Sequence, residues 1–205
     1  MEKDFHIAVV YQEPIITSDV VDGFEDDIQS PGLKVLLEPV PMMGARAALE
    51  WLMPTAIVAY IAKPYFESFL SEMGKDHYAI SKKAFNNLRA RIHKMYGERF
   101  KLVGTKGKLG SDAYKFSPVF SIESQTPFEY RVKLLIQTEI EPEQFNLAVE
   151  EYLNFLNELY NPNEQSVDSK LLLSNKPVSS VFLVCFNPEA GKLEYVDPIP
   201  EIKKP

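Results

Sequence analysis

The chain has 205 residues, 45% of them apolar, enough to bury a substantial core and to exclude disorder as the main state. Its 29 acidic residues outnumber 22 basic ones, giving a formal charge of −7 and a pI near 5.1. That balance argues against nonspecific binding to nucleic acid or to an anionic membrane, since both need a positive surface.

In chain order, residues 5–11 are dense in β-branched and aromatic types and read as a first strand, stopped by Pro14. The segment SDVVDGFEDDI follows, with Ser18 or Asp19 to cap a helix and Val20, Val21, Phe24 and Ile28 at helical spacing, although Gly23 weakens it. A Pro-Gly turn leads to a second strand at 33–38, a rigid loop PVPMMG and a short helix from Ala45 to Met53 that Pro54 blocks. The third strand, Thr55 to Ala62, is nearly all apolar and is expected at the centre of a sheet, buried on both faces. Those eight residues are the longest stretch of 49–70 uninterrupted by charge or proline, far short of the about twenty that a membrane span needs, so a soluble protein is expected.

Pro64 sits where a first helical turn tolerates it, and Gly74 is expected to end that helix. DHYAISKKAFNNLRARIHKMY then reads as a long amphipathic helix. Tyr78, Phe85, Leu88, Ile92 and Met95 face inward, and Lys82, Lys83, Arg89, Arg91 and Lys94 largely outward as a solvated basic stripe. The glycine-rich KLVGTKGKLG, with Lys101, Lys106 and Lys108, fits no phosphate-binding pattern and reads as a flexible hairpin or loop.

From Phe100 the pattern changes to neighbouring strands, FKLVG, YKFSPVFSIES and FEYRVKLLIQTEI, whose short connections make them antiparallel. Glu141, Pro142 and Glu143 open a helix that turns Phe145, Ala148, Val149, Tyr152, Leu153, Phe155, Leu156 and Leu159 inward. A long loop over NPNEQSVDSKLLLSNKP and a final hairpin, SSVFLVCF with KLEYV across NPEAG, complete the chain before an exposed tail.

The fold class is therefore α/β. A parallel-sheet βαβαβα unit over 1–97 is followed by an α+β region over 98–205 with antiparallel strands and one long helix, as two domains or as one continuous sheet. The single Cys185 lies in a buried strand and reads as an inert core thiol. It excludes an internal disulfide and fits a reducing, cytoplasmic setting. His6, His77 and His93 show no ligand spacing, so neither a metal nor a resident cofactor is expected. The opening MEKDF is acidic and mixed, so no cleaved export signal is expected.

Three junctions stand out. The runs FHIAVVYQEP, GLKVLLEPVP and TAIVAYIAKP each end in a charged residue before proline, and those residues, Glu13, Glu38 and Lys63, are 25 apart. Parallel neighbouring strands would bring them to one edge of the sheet, where ligands of open α/β folds bind, with Arg46, Tyr65, Glu67 and Glu72 close by. Two carboxylates and a lysine suit acid/base work. The structural account of the same trio is that strand ends meet solvent and that Glu–Lys pairs there are worth little.

Read together, these segments resemble the first half of a Toll and interleukin receptor (TIR) domain. The shared features are FHIAVVYQE as first strand, GLKVLL as second, the Pro- and Gly-containing PVPMMG loop, the helix ARAALEWLM, the buried strand TAIVAYIA and the helix start AKPYFES with Tyr65 and Ser68. A flavodoxin-like doubly wound sheet is the alternative. In catalytic members of the resembled family a glutamate six positions after the serine cleaves the glycosidic bond of NAD; here that position is Gly74, and Glu72, four beyond Ser68, is the available substitute. The resemblance implies an intracellular assembly module of a microbial defence or signalling system, with a protein partner or a second copy of itself. The alternatives are a divergent NAD glycohydrolase using Glu72, or a binder of a nucleotide-like signal through Glu13, Glu38, Lys63, Arg46, Tyr65 and Ser68. Neither nucleic acid nor membrane is an expected partner.

Overall fold

The computed structural model describes residues 5–41, 55–69, 74–96, 115–161, 163 and 165–197, side chains of 67–69 and 74–77 excepted. Its strands are β1 (Ile7–Glu13), β2 (Val35–Pro41), β3 (Ile57–Ile61), β4 (Phe116–Gln125), β5 (Arg131–Gln137), β6 (Val181–Asn187) and β7 (Lys192–Tyr195). The helices are α1 (Ser18–Asp27), α2 (Lys63–Phe69), α3 (Gly74–Tyr96), α4 (Pro142–Tyr160) and α5 (Val167–Leu173). The strands form one mixed seven-stranded sheet in the order β2-β1-β3-β4-β5-β6-β7, so the class is α/β. β3 pairs with β4, so one sheet crosses the expected boundary near residue 98.

Strand direction corrects the expected parallel trio. β1 and β2 are parallel, but β3 runs antiparallel to β1, with Ile7 opposite Ile61 and Tyr11 opposite Ile57. β3 is parallel to β4, β4 antiparallel to β5, β5 parallel to β6, and β6 antiparallel to β7. Each parallel pair is joined through helices: α1 between β1 and β2, α2 and α3 between β3 and β4, α4 and α5 between β5 and β6. Parallel pairing requires such crossovers, whereas the β4/β5 and β6/β7 pairs close through short turns.

The second strand does not stop at Pro39 but continues to Pro41. Proline lacks a ladder donor, and β2 can carry two prolines because it is an edge strand. The start of α1 also differs: Thr17, not Ser18 or Asp19, is the N-cap, and its hydroxyl lies 3.2 Å from that of Tyr96 instead of capping the helix. Contrary to the long loop expected after α4, the short α5 forms, its cap Ser166 accepting from the Ser169 N–H at 3.2 Å. The short helix expected at 45–53, the FKLVG strand, the glycine-rich loop and the tail lie outside the described residues.

All the helices contribute to a core on one face of the sheet. Ile7, Val9, Ile57, Ala59, Ile61, Ile122, Leu134 and Val184 meet Phe24, Phe85, Leu88, Phe145 and Leu156. The eight α4 residues expected inward are all buried, and Glu141 with Gln144 forms a capping box at its start. β3 is buried on that face, while Val58 and Tyr60 on its other face are only half-buried. On α3, Phe85, Leu88 and Ile92 are buried as expected, whereas Met95 is 37% exposed.

Neither arginine of the expected outward stripe on α3 is solvated as a free charge. Arg91 reaches across to α1, its Nη1 2.6 Å from the Asp27 carboxylate and its Nε donating to the Val20 carbonyl at 3.0 Å. Gly23 makes room for this: a Cβ there would sit 3.2 Å from Arg91 Nη1. Asp27 also accepts from Asn87 at 2.7 Å, which clamps α1 to α3. Arg91 Nη2 is buried with no hydrogen-bond partner among the described residues, so losing Asp27 would leave the guanidinium still worse satisfied. Asp27→Ala is expected to lower unfolding free energy by about 1–3 kcal/mol in urea titrations, with Asp27→Asn losing less. A loss below about 0.5 kcal/mol would show that this clamp does not hold the two helices together.

Candidate functional site

The alternation of directions sorts the strand ends. The carboxyl ends of β1, β2, β5 and β6, namely Glu13, Pro41, Gln137 and Asn187, fall on the same edge of the sheet as the amino ends of β3, β4 and β7. Glu13 lies at this edge, exposed beside Pro14, Pro39, Val40 and Pro41 in an open depression. Lys63 does not. It follows β3, whose far end pairs with the start of β1, and its N–H donates to Gln125 Oε1 at 2.8 Å. The length of β1, roughly 20 Å, separates it from Glu13. Glu38 sits mid-strand opposite Val10 and, by alternation, on the face away from the helices, whereas Glu13 is in phase with the helix-facing Ile7, Val9 and Tyr11. The three charged residues are thus not brought together. Tyr65 is buried, its hydroxyl 2.8 Å from that of Ser81. Arg46 and Glu72 lie outside the described residues, as does the side chain of Ser68.

The same edge does hold a built cavity, of about 70 Å³, between the second half of α3, the start of β4 and the end of β5. Arg89 and His93, one turn apart on α3, line it together with Tyr96, Ser117, Phe120 and Thr138. Arg89 is fixed from behind: it donates through Nη2 to the Ile140 carbonyl and its guanidinium lies 5.2 Å from the centroid of the Phe145 ring. Burial lowers its pKa, with nearby Glu141 pulling the other way.

No family model matches the chain, and no curated protein or solved structure matches it. Among the described residues no helix is long and apolar enough to cross a membrane, and no group of three or more His, Cys, Asp or Glu could hold a metal ion.

A larger groove, of about 410 Å³, lies between α4, α5 and β7. Its apolar floor includes Phe155, Leu172 and Leu193, and its rim carries Glu151, Glu158 and Asp168. Glu158 accepts from the N–H and hydroxyl of Ser166 at 2.8 and 3.0 Å, which ties α5 to α4. Burial first, then Glu150, Glu158 and Asp168, push the Glu151 carboxyl above its usual range, and Lys192 meets Asp168 at 3.3 Å across the mouth. Beside the groove α5 exposes Val167 (81%) and Leu171 (65%), and α4 exposes Leu147. The signal missed in the sequence was Ser166 followed by Val167 and the apolar run 171–173, too short a stretch to show helical periodicity against the surrounding polar residues.

The face of the sheet away from the helices carries a third polar group. Tyr60, Glu123 and Lys133 are direct partners across β3, β4 and β5, and the Arg131 guanidinium lies 2.6 Å from Glu123. Lys133 is only 2% exposed. Desolvation pushes its amine down to about 8, with Arg131 adding to this and Glu123 opposing it. Cys185, on the same face, is pushed up to about 11 chiefly by burial, which fits an inert thiol.

Lys133 fixes a sign for stability against pH. Below about 8 both folded and unfolded chains carry its proton, and the cost of burying the charge is constant. Between there and the ordinary value of 10.5 the unfolded chain holds a proton that the folded protein has shed, so this residue's contribution to stability rises with pH. Urea midpoints measured from neutral pH to pH 10 should rise more in the wild type than in Lys133→Met, which should be at least as stable at neutral pH. Parallel pH profiles for the two proteins would refute the assignment.

Proposed function

We propose that the chain is an assembly module that associates with a second copy of itself through the groove between α4, α5 and β7. The observation that carries this is the pairing of an exposed apolar couple, Val167 and Leu171, with an acidic rim on the same element cluster. Monomeric proteins seldom leave such side chains exposed together without a use. A matching surface exists on α3, where Lys83, Ala90 and Lys94 are exposed at i, i+7 and i+11 and lie on one face, with Met95 beside them. Lys82, by contrast, is spent within the chain on Glu150. Charge complementarity of this kind fixes orientation and suppresses wrong pairings more than it adds affinity, while the apolar residues supply burial.

The resemblance of residues 5–73 to a TIR domain supports placing such a module in an intracellular defence or signalling system of a microbe, where assembly itself is the output. Gly74 at the position of the NAD-cleaving glutamate, and a lysine at the opposite edge of the sheet from Glu13, favour assembly over the glycohydrolase and nucleotide-binding alternatives.

Sedimentation velocity on the full chain tests the reading. The wild type is expected to shift to larger species as concentration rises. Lys83→Glu with Lys94→Glu on one chain, or Glu151→Lys with Asp168→Lys on another, should each weaken this by about tenfold or more. Mixing the two variants should restore a complex, because each retains the surface the other has lost. A wild type that stays monomeric at the highest concentration reached, or variants that do not complement, would sink the proposal.

A further inference from the structure

The cavity at the carboxyl edge has a chemistry that the assembly reading does not use. Its walls divide in two. Ile92, Phe120 and Ile136 form an apolar side, and Arg89 and His93 stand at the polar side. Several other polar groups there are already engaged. Gln137 donates through Nε2 to the Phe186 carbonyl at 3.0 Å, the Ser117 hydroxyl accepts from the Val119 and Phe120 N–H groups at 3.2 and 3.4 Å, and the Tyr96 hydroxyl meets Thr17. Of the Arg89 fork, Nη2 is committed to Ile140, while Nε and Nη1 make no hydrogen bond among the described residues.

We infer that this cavity binds a short aliphatic monocarboxylate, its carboxylate on Arg89 and His93 and its hydrocarbon against Ile92, Phe120 and Ile136. Charge selects the anion. Arg89 is half-buried, packed over the Phe145 ring and bonded to the Ile140 carbonyl, so its orientation is set before any ligand arrives, and a guanidinium so fixed suits a carboxylate. Glu141 lies close enough to offset part of this positive field, which disfavours a dianion more than a monoanion. The apolar wall points the same way, because a tetrahedral phosphate would leave oxygens unsatisfied against Phe120 and Ile136. Size favours a short chain, since the water-accessible space is only about 70 Å³. Location agrees as well, since this is the edge where four of the seven strands present their carboxyl ends, the usual ligand side of an open α/β sheet.

Calorimetric titration of the full chain with formate, acetate, propionate, butyrate, propionamide and inorganic phosphate tests this. Propionate is expected to saturate with a Kd of about 0.1 to 1 mM. Formate and propionamide should bind at least about tenfold more weakly, the first for want of apolar contact and the second for want of charge. Arg89→Gln should lose binding by a similar factor. Because that change could also unfold the α3–α4 contact, His93→Gln, at an exposed position, serves as the second variant and should weaken propionate several-fold at unchanged melting temperature. Methyl shifts of Ile92 and Ile136 in NMR spectra should follow the propionate titration. The inference is overturned if no carboxylate saturates, if propionamide or phosphate binds as well as propionate, or if the shifts fall elsewhere. None of these results depends on whether the chain self-associates, which is read separately in the sedimentation experiment.

Discussion

The direction of β3 governs much of what this molecule can present to its surroundings. Had β3 run parallel to β1, Glu13 and Lys63 would share an edge of the sheet. Antiparallel to β1 and parallel to β4, it sends Lys63 to the far side and brings the start of β4 to the same edge as the end of β1, with Ala56 between them accepting from the Gln12 N–H at 2.9 Å and donating to the Pro118 carbonyl at 3.1 Å. The carboxyl edge is then completed by β5 and β6, whose direction β4 sets in turn. The cavity below Arg89 exists because β4 begins and β5 ends under the same turn of α3.

The helices cover one face of the sheet, and the two faces are built on different terms. On the helix side the requirement is apolar packing, into which two tyrosines bring paired hydroxyls: that of Tyr152 donates to the Val132 carbonyl and lies 3.0 Å from the Ser124 hydroxyl, and that of Tyr65 lies 2.8 Å from the Ser81 hydroxyl. On the other face the middle of the sheet holds Glu123 and Lys133 as cross-strand partners, flanked by Leu135 and Leu183. A charge buried in this way contributes little net stability, since desolvation offsets most of its attraction to Glu123. Its geometric effect is firmer. A one-residue slip of β5 against β4 would turn Lys133 into the helical core and bring Val132 opposite Glu123, so the pair fixes the register of the central hairpin.

Periodicity exposed α4, the hairpins and the amphipathic side of α3 in the sequence because each of those features is local. Eight inward positions on α4 follow from a 3.6-residue repeat and an acidic, proline-opened first turn, and the structure buries all eight. Direction is not local: the alternation of Ile57, Val58, Ala59, Tyr60 and Ile61 is the same whichever way the strand runs, so only its neighbours decide. The regular spacing of Glu13, Glu38 and Lys63 therefore marked strand positions without marking an edge. Pro39 read as a stop because edge position, which makes it tolerable, is likewise invisible in one strand. The arginines of α3 depart from the outward stripe for a further reason. A long side chain emerging from a polar stripe can bend back over the helix and deliver its charge to a carboxylate or carbonyl on the next element.

That bending changes how charge is spread over the surface. Arg91 is neutralised by Asp27 and Arg89 is turned toward Ile140 and the cavity, so the positive charge left outside on α3 belongs to lysines such as Lys83 and Lys94. Across the helical layer, Glu158 is held in place by Ser166, and Glu151 and Asp168 line the same groove, with Lys192 paired to Asp168. A net charge of −7 would by itself keep copies of the chain apart. Its uneven distribution creates the opposite local condition, because a lysine-bearing helix and an acid-rimmed apolar groove sit at different places on one helical layer. Arginine satisfied inside and lysine left outside is what separates the two. Exchanging the residue types would not be equivalent, since a lysine at 91 has no planar fork with which to hold Val20 and Asp27 together.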